Sequence, residues 1–355
     1  MELLDRITEL SHEFGTLKYV RGGGGNTSVK TDATLWVKPS GTTLATIKPS
    51  DFVAIDRSKL ATLYAMTPPS GASAREAMVK EIVERAVLPE TPGRASVEAP
   101  LHDSLSARYV VHTHPALVNG MTCGKDGHSA CQTLFPHALW LDYIDPGYTL
   151  CMQVRQEIQQ YKQTNGREPS LIFLKNHGVF IAADGPGEIH RLYESVMTTL
   201  GRFYDDRKVS RELAIGPLPE ANVVGAARQK ICTAFGKTEV CLAAAGVFAL
   251  PKGPITPDHI VYAKSYYLTA EPTAEAIEWF QEKFRYVPHV IAFDRMVFGV
   301  GSTQKKADLA LELAIDGALV KQLAEAFGGI DYMTDLAREF IENWEVESYR
   351  SKQVS

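Results

Sequence analysis

Four consecutive glycines near the start of the chain, Gly22–Gly25, constrain its fold more than any other stretch. Glycine adopts left-handed backbone conformations that other residues avoid and weakens helices, so no helix continues through this run. Before it, apolar residues recur at helical spacing over residues 3–17, which predicts a helix of four to five turns. Strand-like segments follow it. This order excludes the dinucleotide-binding fingerprint, in which a strand comes first and a helix follows the glycines.

Short apolar segments alternate with longer amphipathic ones through the first two hundred residues. The patterns predict strands over residues 28–30, 34–38, 51–56, 109–114, 139–144, 171–174 and 179–182, helices over residues 73–88, 102–107, 115–123, 152–161 and 188–206, and a polar loop over residues 124–133. Tight turns join several of the strands directly. We therefore predict an α/β fold with a mixed or mainly antiparallel central sheet between helices.

A chain of 355 residues exceeds the usual size of one domain, so a boundary is expected. The segment Gly216–Pro219 combines glycine and prolines, which end helices and stiffen connections. It predicts a first domain over residues 1–210 and a smaller α/β domain over residues 218–355.

Part of the predicted order of helices and strands in the second domain resembles that of the first. A helical pattern over residues 273–284 precedes strand-like residues 289–300, which resembles the helix, strand, turn and strand around His177. Asp294 and Arg295 stand at the turn where the first domain has Asn176 and His177. The second domain is therefore either a degenerate repeat without the histidines or an unrelated α/β unit.

Two histidines, His112 and His114, end a short apolar run that begins at Tyr109. Residues i and i+2 of a strand share a face, so both imidazoles point to one side. His177 lies in a tight turn between two predicted strands and can supply a third ligand. Three histidines on Zn²⁺ leave one position open, as in catalytic sites. Spacing alone leaves a structural pair of histidines equally open, and Glu98 adds a nearby carboxylate in chain order.

Two turns carry groups that suit an anion. The glycine run exposes backbone N–H groups, and Asn26 and Thr27 follow it directly with side-chain donors. Ser40 and Gly41 form a second hydroxyl-bearing turn. Both stretches also fit ordinary hairpin loops, so an anion site and a purely structural role remain open.

Charge and cysteine content narrow the classes of partner. The formal net charge is −5 and no block of Lys or Arg stands out, which argues against nucleic acid or an anionic membrane surface. Five cysteines without paired spacing favour a reducing compartment over a disulfide framework. The first residues mix charged and apolar side chains, unlike a signal peptide, and no apolar run approaches ~20 residues. We predict a cytoplasmic protein that binds a small molecule.

Five motifs, in the same order along residues 1–206, resemble the class II aldolase/adducin family. They are Gly25-Asn26-Thr27-Ser28, Pro39-Ser40-Gly41, Ser96-x-Glu98, His112-x-His114 and Asn176-His177-Gly178. The family includes fuculose-phosphate and rhamnulose-phosphate aldolases and ribulose-phosphate 4-epimerases. Longer stretches, including Gly253–His259, further resemble the aldolase portion of a bifunctional rhamnulose-phosphate aldolase/alcohol dehydrogenase, and this likeness extends across the second domain.

The resemblance implies a role for each matching residue. His112, His114 and His177 would bind Zn²⁺, or another divalent ion such as Mn²⁺ or Co²⁺, and Glu98 would act as acid and base. The family also uses a tyrosine of a neighbouring subunit as general acid, for which Tyr143 is our candidate. The residues that would hold the substrate phosphate are Gly24, Asn26, Thr27, Ser40, Gly41 and Ser96. Val97 departs from the fuculose-phosphate pattern, which has a serine there, so a different anionic group is also compatible.

The resemblance implies a homotetramer that cleaves a ketose phosphate reversibly to dihydroxyacetone phosphate and an aldehyde. A divalent cation would stabilise the oxyanion left by C–C cleavage. Glu98 would exchange protons with the substrate, for which we expect its pKa to be raised by a dry site. Two alternatives remain: an epimerase or decarboxylase of a sugar-acid phosphate at the same site, and a non-catalytic scaffold as in the adducin branch.

Overall fold

A computed structural model describes residues 2–89, 91, 93–236 and 239–343 of the chain. Residues 344–355, the end of the predicted second domain, lie outside this range. The described chain forms two compact units, one of residues 2–118 with 127–202 and the other of residues 119–126 with 203–343. No helix among these residues is long and apolar enough to cross a membrane.

The first unit is built on a seven-stranded sheet in the order β3-β2-β1-β4-β7-β6-β5. Its strands are β1 (Asn26–Lys30), β2 (Thr34–Val37), β3 (Val53–Asp56), β4 (Tyr109–Thr113), β5 (Leu139–Leu141), β6 (Leu171–Leu174) and β7 (Gly178–Ala183). Every neighbouring pair is antiparallel except β5 and β6, which are parallel. The prediction of a mainly antiparallel α/β fold is therefore confirmed.

Helices cover both faces of this sheet. They are α1 (Glu2–Phe14), α2 (Arg57–Leu60), α3 (Thr62–Ala65), α4 (Ala72–Ala86), α5 (Ala99–Ser104), α6 (Ala116–Thr122), α7 (Gly127–Leu134), α8 (Tyr148–Asn165) and α9 (Pro186–Asp206). Two sequence predictions were wrong. Helix α1 ends at Phe14 and leaves Leu17 63% exposed, and the predicted polar loop contains α7, which buries Cys131.

The two faces of the central strand β4 contact different helices. On one face the ring of Phe14 in α1 stacks on Tyr193 in α9, with centroids 4.1 Å apart, and the Tyr193 hydroxyl pairs with Thr113. On the other face Val110 belongs to a core cluster with residues of α5 and α8. All five residues of β4 are buried, which explains its unbroken apolar run.

The second unit has a smaller antiparallel sheet in the order β8-β10-β9, made of β8 (Cys241–Gly246), β9 (Val290–Phe293) and β10 (Met296–Gly301). Its helices are α10 (Ala221–Ala234), α11 (Pro257–Tyr262), α12 (Ala274–Phe284), α13 (Gln304–Ala324) and α14 (Asp335–Asn343). The longer segment of this unit starts at Phe203 inside α9, where Phe203 and Tyr204 pack their rings on Phe327.

The second sheet repeats a connection pattern of the first. Strands β6 and β7 have four and six residues and precede the 21-residue helix α9. Strands β9 and β10 have the same lengths and precede the 21-residue helix α13. The orders β4-β7-β6 and β8-β10-β9 also correspond, with antiparallel pairing throughout. This agreement favours a degenerate repeat over two unrelated units.

Candidate metal centre

The five motifs gather at one end of the seven-stranded sheet. Antiparallel pairing places the start of β1 beside the ends of β2 and β4, and the start of β7 beside the end of β4. Asn26 pairs with His112 in this register. A bridge between Pro39 and Ala95 brings the segment that leads to Glu98 to the same end. The pairing of these strands therefore brings together motifs that are far apart in the sequence.

The imidazoles of His112, His114 and His177 converge, as the sequence predicted. Nε2 of His112 lies 2.9 Å from Nε2 of His114 and 3.4 Å from Nε2 of His177, and one ligand atom from each residue falls within 4.8 Å of the others. Ligands of a tetrahedral zinc at ~2.05 Å are ~3.3 Å apart. The donor set and its spacing therefore fit a divalent transition metal bound by three neutral imidazoles.

His112 is oriented by contacts on two sides. Its Nδ1 lies 3.0 Å from the carbonyl oxygen of Val179, so Nδ1–H donates there and the Nε2 lone pair faces the other imidazoles. The ring of Phe180 stacks face to face on the imidazole, with centroids 3.8 Å apart and planes 9° apart. His112 is fully buried. The ligand atom of this residue is therefore fixed before any ion binds.

The turn that carries His177 requires unusual backbone. Asn176 adopts a left-handed conformation with φ 52°, and His177 N–H donates to the carbonyl of Leu174. A Cβ at Gly178 would overlap the carbonyl oxygen of Thr113 and would lie 2.6 Å from Cδ2 of His114. Only glycine allows β7 to begin this close to Thr113 and His114.

Glu98 lies beside the imidazoles and is held by its own hydrogen bonds. Its Oε1 is 3.4 Å from Nε2 of His112 and 3.9 Å from Nε2 of His177. The amide nitrogen of Asn26 donates to Oε2 of Glu98 at 3.1 Å and to Oγ of Ser96 at 2.7 Å. The carboxylate therefore presents one oxygen to the histidines while the other accepts from Asn26.

The electrostatics of Glu98 differ from the sequence expectation. Burial by itself raises the pKa of this carboxyl, but the adjacent imidazoles of His112 and His177 outweigh burial and hold the pKa well below its usual value. Burial lowers the pKa of His112. The expected raised pKa of Glu98 is therefore wrong in direction, and Glu98 is an ionised carboxylate beside the imidazoles.

Of the residues predicted to bind an anion, Gly24, Ser40 and Gly41 lie in two turns, whereas Thr27 lies on the opposite face of β1. Gly24 and Ser40 lie in adjacent turns, where Gly24 N–H donates to Arg21 and Ser40 N–H donates to Arg94, and Gly41 has a left-handed φ of 82°. Thr27 faces the opposite side of β1, where its fully buried hydroxyl pairs with Ser11 of α1. The alternation of a strand removes Thr27 from the candidate site.

Sequence reasoning missed a buried lysine that joins the two turns. Lys38 follows β2, and its ammonium donates to the carbonyls of Gly23 at 3.3 Å and Thr42 at 2.8 Å. Only 3% of the residue is exposed. The sequence did not indicate a role for this lysine, because its hydrogen-bond partners lie in the turns before and after its strand.

Tyr143, the predicted general acid, follows β5 at the same end of the sheet. In strand order β5 lies two positions beyond β7, which corresponds to ~10 Å at the usual strand spacing. Its hydroxyl donates to Asp145 at 3.1 Å, and burial raises its pKa. The structure thus places Tyr143 near a carboxylate of its own loop, and its catalytic role stays a prediction.

Comparison with known proteins identifies the region that contains these residues. The model of the class II aldolase and adducin N-terminal domain matches residues 5–201. A curated relative from Bacillus subtilis (strain 168), called uncharacterized oxidoreductase YuxG, is 26% identical over 212 residues. The match covers 56% of this chain and 29% of that protein, so the chain spans less than a third of its relative.

Solved structures similar to this chain cover the same portion of it. The N-terminal class II aldolase domain of a conserved protein from Thermoplasma acidophilum is 24% identical, with a TM-score of 0.48, and the match covers 56% of this chain and 92% of that one. The L-fuculose-1-phosphate aldolase from Thermus thermophilus is 19% identical, with a TM-score of 0.37, over 56% of this chain and 94% of the other.

Proposed function

Because this chain belongs to the class II aldolase and adducin family, we propose that it is a metal-dependent lyase. Its reaction is the reversible cleavage of a ketose phosphate to dihydroxyacetone phosphate and an aldehyde. The observation that carries the proposal is the position of Glu98, whose Oε1 lies 3.4 Å from Nε2 of His112 within the histidine cluster. An ionised carboxylate beside three convergent imidazoles argues against a non-catalytic scaffold.

His112, His114 and His177 would hold the divalent ion, Zn²⁺ or another such as Mn²⁺ or Co²⁺. When bound, the ion supplies positive charge that stabilises a developing oxyanion. Neutral imidazole ligands leave that charge undiminished, and burial keeps His112 neutral by lowering its pKa. Val179 and Phe180 orient the imidazole of His112, which is a contribution of the protein to metal binding.

Glu98 would accept and return the proton of the reaction. As a carboxylate it can take the proton of the substrate hydroxyl in cleavage, or of the donor carbon in condensation. Asn26 holds the carboxylate in place, and its amide nitrogen donates to both Glu98 and Ser96. Tyr143, supplied by a neighbouring subunit, is the proposed proton donor.

The two turns joined by Lys38 would hold the far end of the substrate. Gly24, Ser40, Gly41 and Ser96 remain candidates for contact with the phosphate, and Lys38 adds a positive charge beside both turns. Anchoring one end of the substrate fixes its carbonyl near the reacting groups, which lowers the entropy cost of the reaction. The predicted homotetramer, the cytoplasmic location and the two predicted domains enter this proposal as expectations.

Metal analysis tests the first part of the proposal. We expect about one divalent ion per chain in the purified protein, or after addition of Zn²⁺, and its loss in His177→Ala. His190→Ala is the matched control, because His190 is partly exposed on α9, away from the histidine cluster, and pairs with Glu13. A protein that binds no divalent ion under these conditions is not a metal-dependent lyase.

Product analysis tests the second part. Incubation with a panel of ketose 1-phosphates should release dihydroxyacetone phosphate, and Glu98→Gln should remove this activity while the metal is retained. Release of an isomeric sugar phosphate or of CO₂ from a sugar-acid phosphate would indicate an epimerase or decarboxylase instead. Unchanged aldolase activity in Glu98→Gln would refute the role of Glu98.

A further inference from the structure

The second unit contains a cavity that the proposed lyase reaction does not use. It has a volume of about 280 Å³ and lies between the segments before β8 and β9, the end of α11, the end of β10 and the first turns of α13. All of its lining residues belong to the second unit. The volume corresponds to roughly nine water molecules at ~30 Å³ each.

Most of the cavity wall is apolar. Val261, Val300 and Leu309 line it and are themselves less than 10% exposed, and Phe235, Val240 and Pro288 complete the wall. Water in such a space has few hydrogen-bond partners, so its replacement by an apolar group is favourable. The cavity therefore suits a ligand with an apolar body of a few carbon atoms.

One side of the cavity is polar and positively charged. Ser302 and Lys306 line it at the start of α13, and Nζ of Lys306 lies 3.5 Å from Oγ of Ser302. The N-terminus of this 21-residue helix adds the positive end of its dipole. The lining carboxylate, Glu239, belongs to an exposed residue, where water and salt screen its charge.

His289 also lines the cavity and contributes no charge. Its Nδ1 lies 3.2 Å from the carbonyl oxygen of Tyr262, to which Nδ1–H donates. Burial lowers the pKa of this imidazole to about 4, so it is neutral at physiological pH. Lys306 therefore supplies the positive side-chain charge among the described residues of the wall.

We propose that this cavity binds a small aliphatic or aromatic monocarboxylate, with the apolar body against Val261 and Val300 and the carboxylate against Ser302 and Lys306. Hexanoate, with eight non-hydrogen atoms, matches the volume. The site is independent of the metal centre, since each of its residues lies in the second unit.

Isothermal titration calorimetry on the full chain tests the proposal with three ligands that each have six carbon atoms. Hexanoate should bind with a dissociation constant in roughly the millimolar range, as expected for a ligand of this size. Hexan-1-ol should bind more weakly, and hexylammonium should not bind. Lys306→Gln should weaken hexanoate by about tenfold or more and leave hexan-1-ol unchanged.

Two further variants locate the site. Lys305→Gln removes the same charge from an exposed neighbour outside the cavity wall and should bind hexanoate like the wild type. Val287 is 36% exposed at the cavity, so Val287→Trp fills the space from its rim and should abolish binding of both hexanoate and hexan-1-ol. The absence of saturable hexanoate binding, or equal binding by Lys306→Gln and the wild type, would overturn the proposal.

Discussion

The side-chain amide of Asn26 donates a hydrogen bond of 3.1 Å to Oε2 of Glu98, although 72 residues separate them in the sequence. The same nitrogen donates to Ser96 at 2.7 Å. Asn26 was predicted to hold a substrate phosphate. That role stays a prediction, and the position of Asn26 also makes it a residue that fixes the direction of the proposed acid and base.

Asn26→Ala should therefore lower the turnover rate without loss of the metal. Hydrogen bonds to charged groups contribute about 1.5–3 kcal/mol, which corresponds to about a 10- to 150-fold decrease in kcat. Release of dihydroxyacetone phosphate and metal content are the two measurements. Asn222→Ala, in the exposed start of α10, is the control and should behave like the wild type. Equal kcat in Asn26→Ala and Asn222→Ala would contradict the positioning role.

Phe180→Leu should weaken metal binding, because the stacked ring limits the rotation of the His112 imidazole. We expect a loss of about tenfold in Zn²⁺ affinity, the lower end of the range for residues that orient ligands. Competition with a chromogenic chelator measures it. Phe173→Leu is the matched control, since Phe173 is equally buried on the neighbouring strand β6 but contacts Phe135. If both variants lose the same affinity, the effect belongs to the core and not to the stacked pair.

Lys30→Met should destabilise the first unit. The buried ammonium of Lys30 donates to the carbonyls of His102 and Leu105 at 2.7 Å each and of Ala107 at 3.0 Å. Burial lowers the pKa of Lys30 to about 7, and the negative charge of Asp103 opposes this shift. Methionine leaves three acceptors without this donor, for which we expect a loss of about 2–4 kcal/mol in the free energy of unfolding.

Urea unfolding measures this change. Lys59→Met makes the same substitution on the exposed surface of α2. It should change the free energy of unfolding by less than about 0.5 kcal/mol. A Lys30→Met protein as stable as Lys59→Met would show that the three carbonyls find other partners.

His289 should make the stability of the second unit depend on pH. Burial lowers its pKa to about 4, whereas an unfolded histidine titrates near ~6.5. Between these values the unfolded chain binds a proton that the folded chain does not, so stability falls as pH falls from about 6.5 to about 4. The full difference corresponds to about 3 kcal/mol at most.

Thermal unfolding at pH 7 and pH 5 tests this dependence in three proteins. His289→Asn should lose less stability between the two pH values than the wild type. His137→Asn, which removes an exposed histidine, should follow the wild type. If His289→Asn keeps the full pH dependence of the wild type, other groups are responsible for it.

The sequence was most informative where local pattern and register act together. The strands on either side of His177 and the mainly antiparallel sheet were predicted from short apolar runs and turns, and the structure confirms both. Convergence of His112, His114 and His177 followed from the two-residue period of a strand and one tight turn. Such features depend on a few neighbouring residues.

Features that depend on distant partners were missed. Lys38 is an ordinary lysine in the sequence, and its contacts with Gly23 and Thr42 exist only because two turns meet at one end of the sheet. The direction of the Glu98 pKa depends on imidazoles that the fold brings within 4 Å. Thr27 was assigned to the site as a side-chain donor beside the glycine run, but β1 already begins at Asn26 and turns the Thr27 hydroxyl towards Ser11 of α1.

Because Gly178 has only a hydrogen atom as its side chain, the start of β7 can lie close to the end of β4 at the metal centre. One methyl group at this position would meet the carbonyl of Thr113 and the ring of His114 at less than 3 Å, so the two strands would have to separate. Separation would move His177 away from the other two imidazoles, whose ligand atoms now lie within 4.8 Å of one another. Coordination geometry in this protein is thus limited by backbone spacing, and a search for working relatives should require glycine after the third histidine as strictly as it requires the histidines.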